Sequence, residues 1–172
     1  MRLSVRQVAV AGMLGALAVL LEVSGIGRIP MPTGVSATTM HIPAILAGCL
    51  EGPVVGGFVG LVFGLWSWLV PRNPFFANPL ISVVPRILIG VVAALVYQRT
   101  MSSILAAIVG TATNTIGVLG LAAAFGYLKP GVAGLVAVTH GIPEIIVAAI
   151  AVGLLMQALR RAYKKSPGVE RQ

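Results

Sequence analysis

The chain has 172 residues, of which 58% are hydrophobic and only 9% charged; its mean hydropathy is +1.00 and its formal net charge +8. Soluble domains run about 45–50% apolar and about 25% charged, which excludes an ordinary soluble domain, a disordered chain and a disulfide-stapled secreted domain. The single cysteine, Cys49, lies in an apolar run and excludes a disulfide framework or a multi-cysteine metal site. A polytopic membrane protein remains, with room for about six or seven crossings of about 20 residues and for no soluble domain.

Proline, glycine and charge divide the chain into six apolar blocks, predicting an all-α membrane protein of six transmembrane helices in one integral domain, residues 1–172. The expected spans are 7–23, 39–50, 53–70, 80–97, 103–127 and 132–159, followed by a basic tail, 160–172. The first block follows Arg2 and Arg6 as a signal peptide would, but it has no convincing cleavage site and reads as a retained helix. The turn-rich stretch 24–38 is too long for a tight turn and is a candidate binding loop. Pro71–Pro79 forms a second structured loop. The sixth block exceeds one span, and His140-Gly-Ile-Pro143 either kinks it or separates a surface segment from a helix starting near Pro143.

Six spans put both termini on one side. With that side cytoplasmic, the inner regions carry Arg2, Arg6, Arg99, Arg160, Arg161, Lys164, Lys165 and Arg171, against Arg28, Arg72 and Lys129 outside. The bias accounts for the net charge without nucleic acid, and the 160–165 cluster reads as a stop-transfer signal and an anchor to membrane lipid headgroups.

Ionisable groups in a span cost about 2.5–3.5 kcal/mol each and need a reason. Those here are Glu22, Arg86, His140 and Glu144, joined by the amide of Asn114. Arg86 lies six residues past Leu80, about 9 Å deep on a helix entering from outside. His140 and Glu144 share a helix face near the expected outer start of the last span. All fall in the outer half or at the midplane, which predicts a polar pocket opening outward. Arg86 suits a ligand carboxylate; Glu144 or Glu22 is its alternative, structural partner. His140 reads as a hydrogen-bonding residue rather than a metal ligand, since no second histidine stands at metal-site spacing. Trp66, Trp68 and Tyr127 read as interfacial aromatics or, alternatively, as a stacking surface for a flat ligand.

Small residues stripe the first helix, including Ala11, Gly12, Gly15 and Ala16, and the third, at Gly52, Gly56, Gly57, Gly60 and Gly64. Such stripes let helices approach closely, internally for the third and either internally or against another protein for the first. The chain has no phosphate-binding G-x-x-x-x-G-K-[ST] loop, no H-E-x-x-H, no G-x-S-x-G and no aspartate. ATP hydrolysis and the common intramembrane protease chemistries therefore lack their residues, and no catalytic residue, metal or cofactor is expected.

Three segments, Met40-His-Ile-Pro-Ala-Ile-Leu-Ala-Gly48, Glu51-Gly-Pro-Val-Val-Gly56 and Asn78-Pro-Leu-Ile-Ser-Val-Val-Pro-Arg-Ile-Leu-Ile-Gly90, occur in this order in a six-span chain. In this the chain resembles the substrate-binding S components of energy-coupling factor (ECF) vitamin transporters, and the blocks around His41 and Pro85-Arg86 are most similar to pantothenate-type members, with folate or riboflavin as further candidates. The resemblance implies a multi-pass prokaryotic plasma-membrane protein that binds a small water-soluble vitamin. It also implies docking onto a membrane coupling subunit carrying two cytoplasmic ATPases. The site it implies is built by the first loop and the outer parts of later helices, giving the candidates Arg86, His140, Glu144, Asn114, Asn78, Trp66, His41 and Thr38. The family's Ala-x-x-x-Ala docking motif corresponds to Ala11 and Gly15, with Gly12 and Ala16 beside them. The competing readings are a stand-alone proton-coupled carrier using Glu144 and His140, and a membrane enzyme acting on a lipid; no inverted repeat favours the carrier.

Overall fold

A computed structural model describes residues 3–30 and 36–165. Helix α1 (Val5–Ser24) opens on a capping box, in which the Ser4 hydroxyl accepts from the Gln7 amide and the Gln7 side chain accepts from the Ser4 amide. A two-stranded antiparallel ribbon follows, β1 (Arg28–Pro30) and β2 (Ser36–Thr38), with Arg28 opposite Thr38. The candidate binding loop therefore contains ordered strands, and its residues 31–35 lie outside the described residues. Then come α2 (Ile42–Glu51), α3 (Pro53–Leu69), a 3-10 turn (Pro74–Ala77), α4 (Pro79–Thr100), α5 (Ser103–Ala124) and α6 (Pro130–Lys165).

Four helices, α1, α4, α5 and α6, are long and apolar enough to cross a membrane. The 17 residues of α3 rise about 26 Å and the 10 of α2 only about 15 Å, against about 30 Å of hydrocarbon. Helix α2 is thus a half-length element. Residues Ile42 to Cys49 are all buried, so protein rather than lipid surrounds it, and irregular backbone leading into it is tolerated at membrane depth. Gly52, at φ 93°, makes the tight turn from α2 into α3.

Antiparallel connections gather the start of α1, the α2–α3 turn, the α4–α5 turn and the end of α6 at one end of the bundle. Arg6 Nε meets Glu51 Oε1 at 2.8 Å there, and Arg160 Nη2 donates to the Tyr97 hydroxyl at 2.6 Å. The ribbon, the 3-10 turn and the starts of α4 and α6 occupy the other end. The glycine stripe on α3 makes the closest seam: a Cβ on Gly60 would collide with the Arg86 carbonyl oxygen, and one on Gly90 with the Gly56 carbonyl. Backbone contact at this seam holds Arg86 at a fixed depth.

Two expectations change. Helix α6 continues unbroken through Pro143, so Glu144 lies about 21 Å along it from Pro130, near its middle rather than at an outer start. Arg160 and Arg161 belong to the same helix, which runs to Lys165; residues 166–172 of the expected tail lie outside the described residues. In α1 the small residues split between two faces, because positions four apart stack and adjacent ones lie about 100° round the helix. Ala11 and Gly15 are buried, a Cβ on Gly15 lying 3.6 Å from Val62 of α3, whereas Gly12 and Ala16 face outward.

Candidate functional site

A cavity of about 470 Å³ lies between the ribbon and the bundle, lined by every helix except α2. Glu22 comes from α1, Arg28 and Thr38 from the ribbon, Phe63 and Ser67 from α3, Arg72 and Phe76 from the segment before α4, Arg86 from α4, Asn114 and Thr115 from α5, and His140 and Glu144 from α6. A volume of this size suits a small ligand.

Arg86 is the most deeply buried charge in its lining, 4% exposed. Its position follows from the proline before it. Pro85 has no amide hydrogen, so the Ile81 carbonyl lacks its helical donor; Arg86 Nη1 donates to that carbonyl instead, at 2.9 Å. The guanidinium carbon stands 4.6 Å from the Phe76 ring centroid and 5.6 Å from that of Phe63, within cation–π range. No carboxylate lies within 4.0 Å of it among the described residues, and its Nε has no hydrogen-bond partner there. The alternative of Glu22 or Glu144 as its direct ion partner is not what the structure contains.

Both glutamates are engaged elsewhere, in fastening the cover. Glu22 Oε1 receives Arg72 Nε at 2.9 Å and Arg28 Nη2 at 3.3 Å, while Arg72 Nη2 also donates to the Glu22 carbonyl at 2.9 Å. Glu144 Oε1 accepts from the Thr38 amide at 2.9 Å and from its hydroxyl at 2.5 Å. The ribbon is therefore tied to α1 through one strand and to the middle of α6 through the other. Asn114 Oδ1 and the Thr115 hydroxyl are buried beside the cavity without partners among the described residues, so α5 offers an acceptor and a hydroxyl to whatever fills the space.

Of the eight candidate contact residues, Arg86, His140, Glu144, Asn114 and Thr38 line the cavity. Asn78, Trp66 and His41 do not. Asn78 caps α4, its side chain accepting from the Leu80 amide at 3.0 Å. Its backbone amide also donates to the Phe75 carbonyl of the 3-10 turn, and the Phe76 carbonyl there accepts from Ser82. Trp66 is half-buried outside the lining. His41 is fully buried at the start of α2, with Nε2 3.0 Å from the Thr111 hydroxyl, and ties α2 to α5 below the cavity. Sequence reasoning missed Arg28 and Arg72, counting them as loop charges, and missed Phe63 and Phe76. The signal available for the arginines was a glutamate at the adjoining helix end. No group of three or more His, Cys, Asp or Glu side chains could hold a metal ion among the described residues.

The substrate-specific component family of ECF transporters matches residues 6–156. The Lactococcus lactis subsp. cremoris (strain MG1363) protein named pantothenic acid transporter PanT is 31% identical over 163 residues, covering 78% of this chain and 83% of its own length. A local match of 34% over 64 residues, 36% of this chain and 31% of the relative, is to the pantothenate transporter PanT of Leuconostoc mesenteroides subsp. mesenteroides. With its membrane-crossing helices this is a multi-pass protein of the plasma membrane. The chain belongs to the ECF transporter family of substrate-specific components.

Proposed function

We propose that this chain is the binding subunit of an importer for pantothenate, taking the ligand from the outer side and passing it inward with a membrane coupling subunit and two ATPases. The observation that carries the reading is Arg86: a buried guanidinium, without an ion partner, aimed into a cavity. Pantothenate has a carboxylate at one end, a central amide and hydroxyl groups at the other. Its carboxylate would meet Arg86, and its amide and hydroxyls the free polar atoms of Asn114 and Thr115. Formal charge agrees: Arg28, Arg72 and Arg86 face Glu22 and Glu144, so with His140 neutral a bound monoanion leaves the site neutral. The names of the relatives support the same choice.

Titration of the purified chain with pantothenate, and with the alcohol in which a hydroxyl replaces the carboxylate, tests the reading. Tight binding of the acid is expected, with the alcohol much weaker. Arg86→Ala should cost about 100-fold or more, since charge-assisted bonds are worth about 1.5–3 kcal/mol and the fork can make two; Arg86→Lys should recover part of that. Equal binding of acid and alcohol would remove the carboxylate role. Uptake by this chain alone, driven by a proton gradient and indifferent to ATP, would favour a stand-alone carrier.

The same reading places the coupling subunit against the outward face of α1, at Gly12 and Ala16. Small exposed side chains there permit close approach of a partner helix.

A further inference from the structure

A second hollow, of about 440 Å³, lies at the opposite end of the bundle from the ligand cavity, between α5 and α6. Ile104, Ile150 and Leu154 form its apolar walls, all more than half exposed. Gly153 forms its floor, opened by the missing side chain: a Cβ there would approach Ile104 to 3.3 Å. Gln157, Ser103 and Arg160 close one end with polar groups.

The shape of this groove matches one leaflet of a bilayer. From Ala149 to Arg160 it follows α6 for about 16 Å, and half of the hydrocarbon is about 15 Å thick. The polarity matches too, with apolar residues along the length and a cation at the end where the chain meets the headgroups. Arg160 is held in place rather than left to wander. One Nη2 bond to the Tyr97 hydroxyl, at 2.6 Å, fixes the guanidinium, and it makes no ion pair among the described residues, so further N–H donors are free for an anion. Arg161 adds a second positive charge at the same level.

We infer that the α5–α6 groove is a binding site for a single anionic phospholipid, one acyl chain lying over Gly153 between Ile104 and Leu154 and the phosphate at Arg160. An anionic rather than zwitterionic headgroup is favoured because the lining holds Arg160 and no carboxylate, with Arg161 next to it in the helix. This inference is independent of what fills the ligand cavity.

Native mass spectrometry of the full chain in detergent, titrated with phosphatidylglycerol and with phosphatidylcholine of the same acyl chains, tests it. The first phosphatidylglycerol adduct is expected at about tenfold lower concentration than the phosphatidylcholine adduct, the size of one charge-assisted contact. Arg160→Gln, an exposed change that leaves the core untouched, should erase the preference. Gly153→Leu, which fills the groove, should reduce adducts of both lipids. Equal adducts of the two lipids with the unaltered protein, or a preference that survives Arg160→Gln, would overturn the site. Lipid adducts unchanged in Gly153→Leu, together with loss of a co-purifying transporter subunit, would overturn it in favour of a protein interface.

Discussion

At the scale of single residues, the Pro85-Arg86 pair shows how a helix defect can orient a buried charge beside a cavity. A proline inside α4 removes one backbone bond, and the freed Ile81 carbonyl is used to aim a guanidinium that would otherwise be costly to bury. Replacing Pro85 by alanine restores a backbone donor that competes for the same carbonyl. The expected result is a several-fold, up to about tenfold, loss of ligand affinity, the worth of one hydrogen bond. The melting temperature should change little, because the regained helical bond offsets the lost ring contact with Gly117. Ligand titration beside a thermal melt checks this; unchanged affinity would mean that Phe63 and Phe76 alone orient Arg86.

At the scale of elements, α1 separates two roles that a stripe of small residues leaves merged. Gly15→Leu pushes a branched side chain towards Val62 and should destabilise the bundle by about 1–3 kcal/mol, as overpacking does. Ala16→Leu points outward and should leave the melt and ligand binding as they are while reducing recovery of the coupling subunit on co-purification. Full recovery with Ala16→Leu would move the docking face off α1. The sequence contained the spacing but not the phase of the helix, since the residues of α1 are apolar almost all round and a lipid-facing side looks like a core-facing one. The same blindness hid the half-length of α2, whose burial depends on the five helices packed around it. By contrast, the charges that a membrane makes expensive were legible: Glu22, Arg86, His140 and Glu144 do converge on one cavity. Arg28 and Arg72 were not, because a loop arginine in water needs no explanation, and only the fold brings both, one from the ribbon and one from the segment before α4, to Glu22. Asn78 and His41 misled for a related reason, as a polar residue in an apolar setting can equally cap a helix or bridge two of them.

At the scale of the whole molecule, import requires the cavity to open to the outside, which the distribution of charge predicts and labelling can test. The cavity end has Arg28, Arg72 and Lys129 in its connections, two of them committed to Glu22. The opposite end has Arg6, Arg99, Arg160 and Arg161. Cys49, the only cysteine, is buried in α2 and should not react with a bulky maleimide in the folded protein. Lys129→Cys and Arg99→Cys, both at exposed positions, then report the two ends separately. Lys129→Cys should be modified by an impermeant maleimide on intact cells, and Arg99→Cys only after the membrane is opened. The reverse pattern would turn the Arg86 cavity towards the cytoplasm. A monoanion would then have to be captured at the side where import releases it, and Arg86 would face an export ligand or an inner-leaflet headgroup instead. The expected pattern would leave the ribbon on the outer side of the cavity, held to the bundle at Glu22 and Glu144.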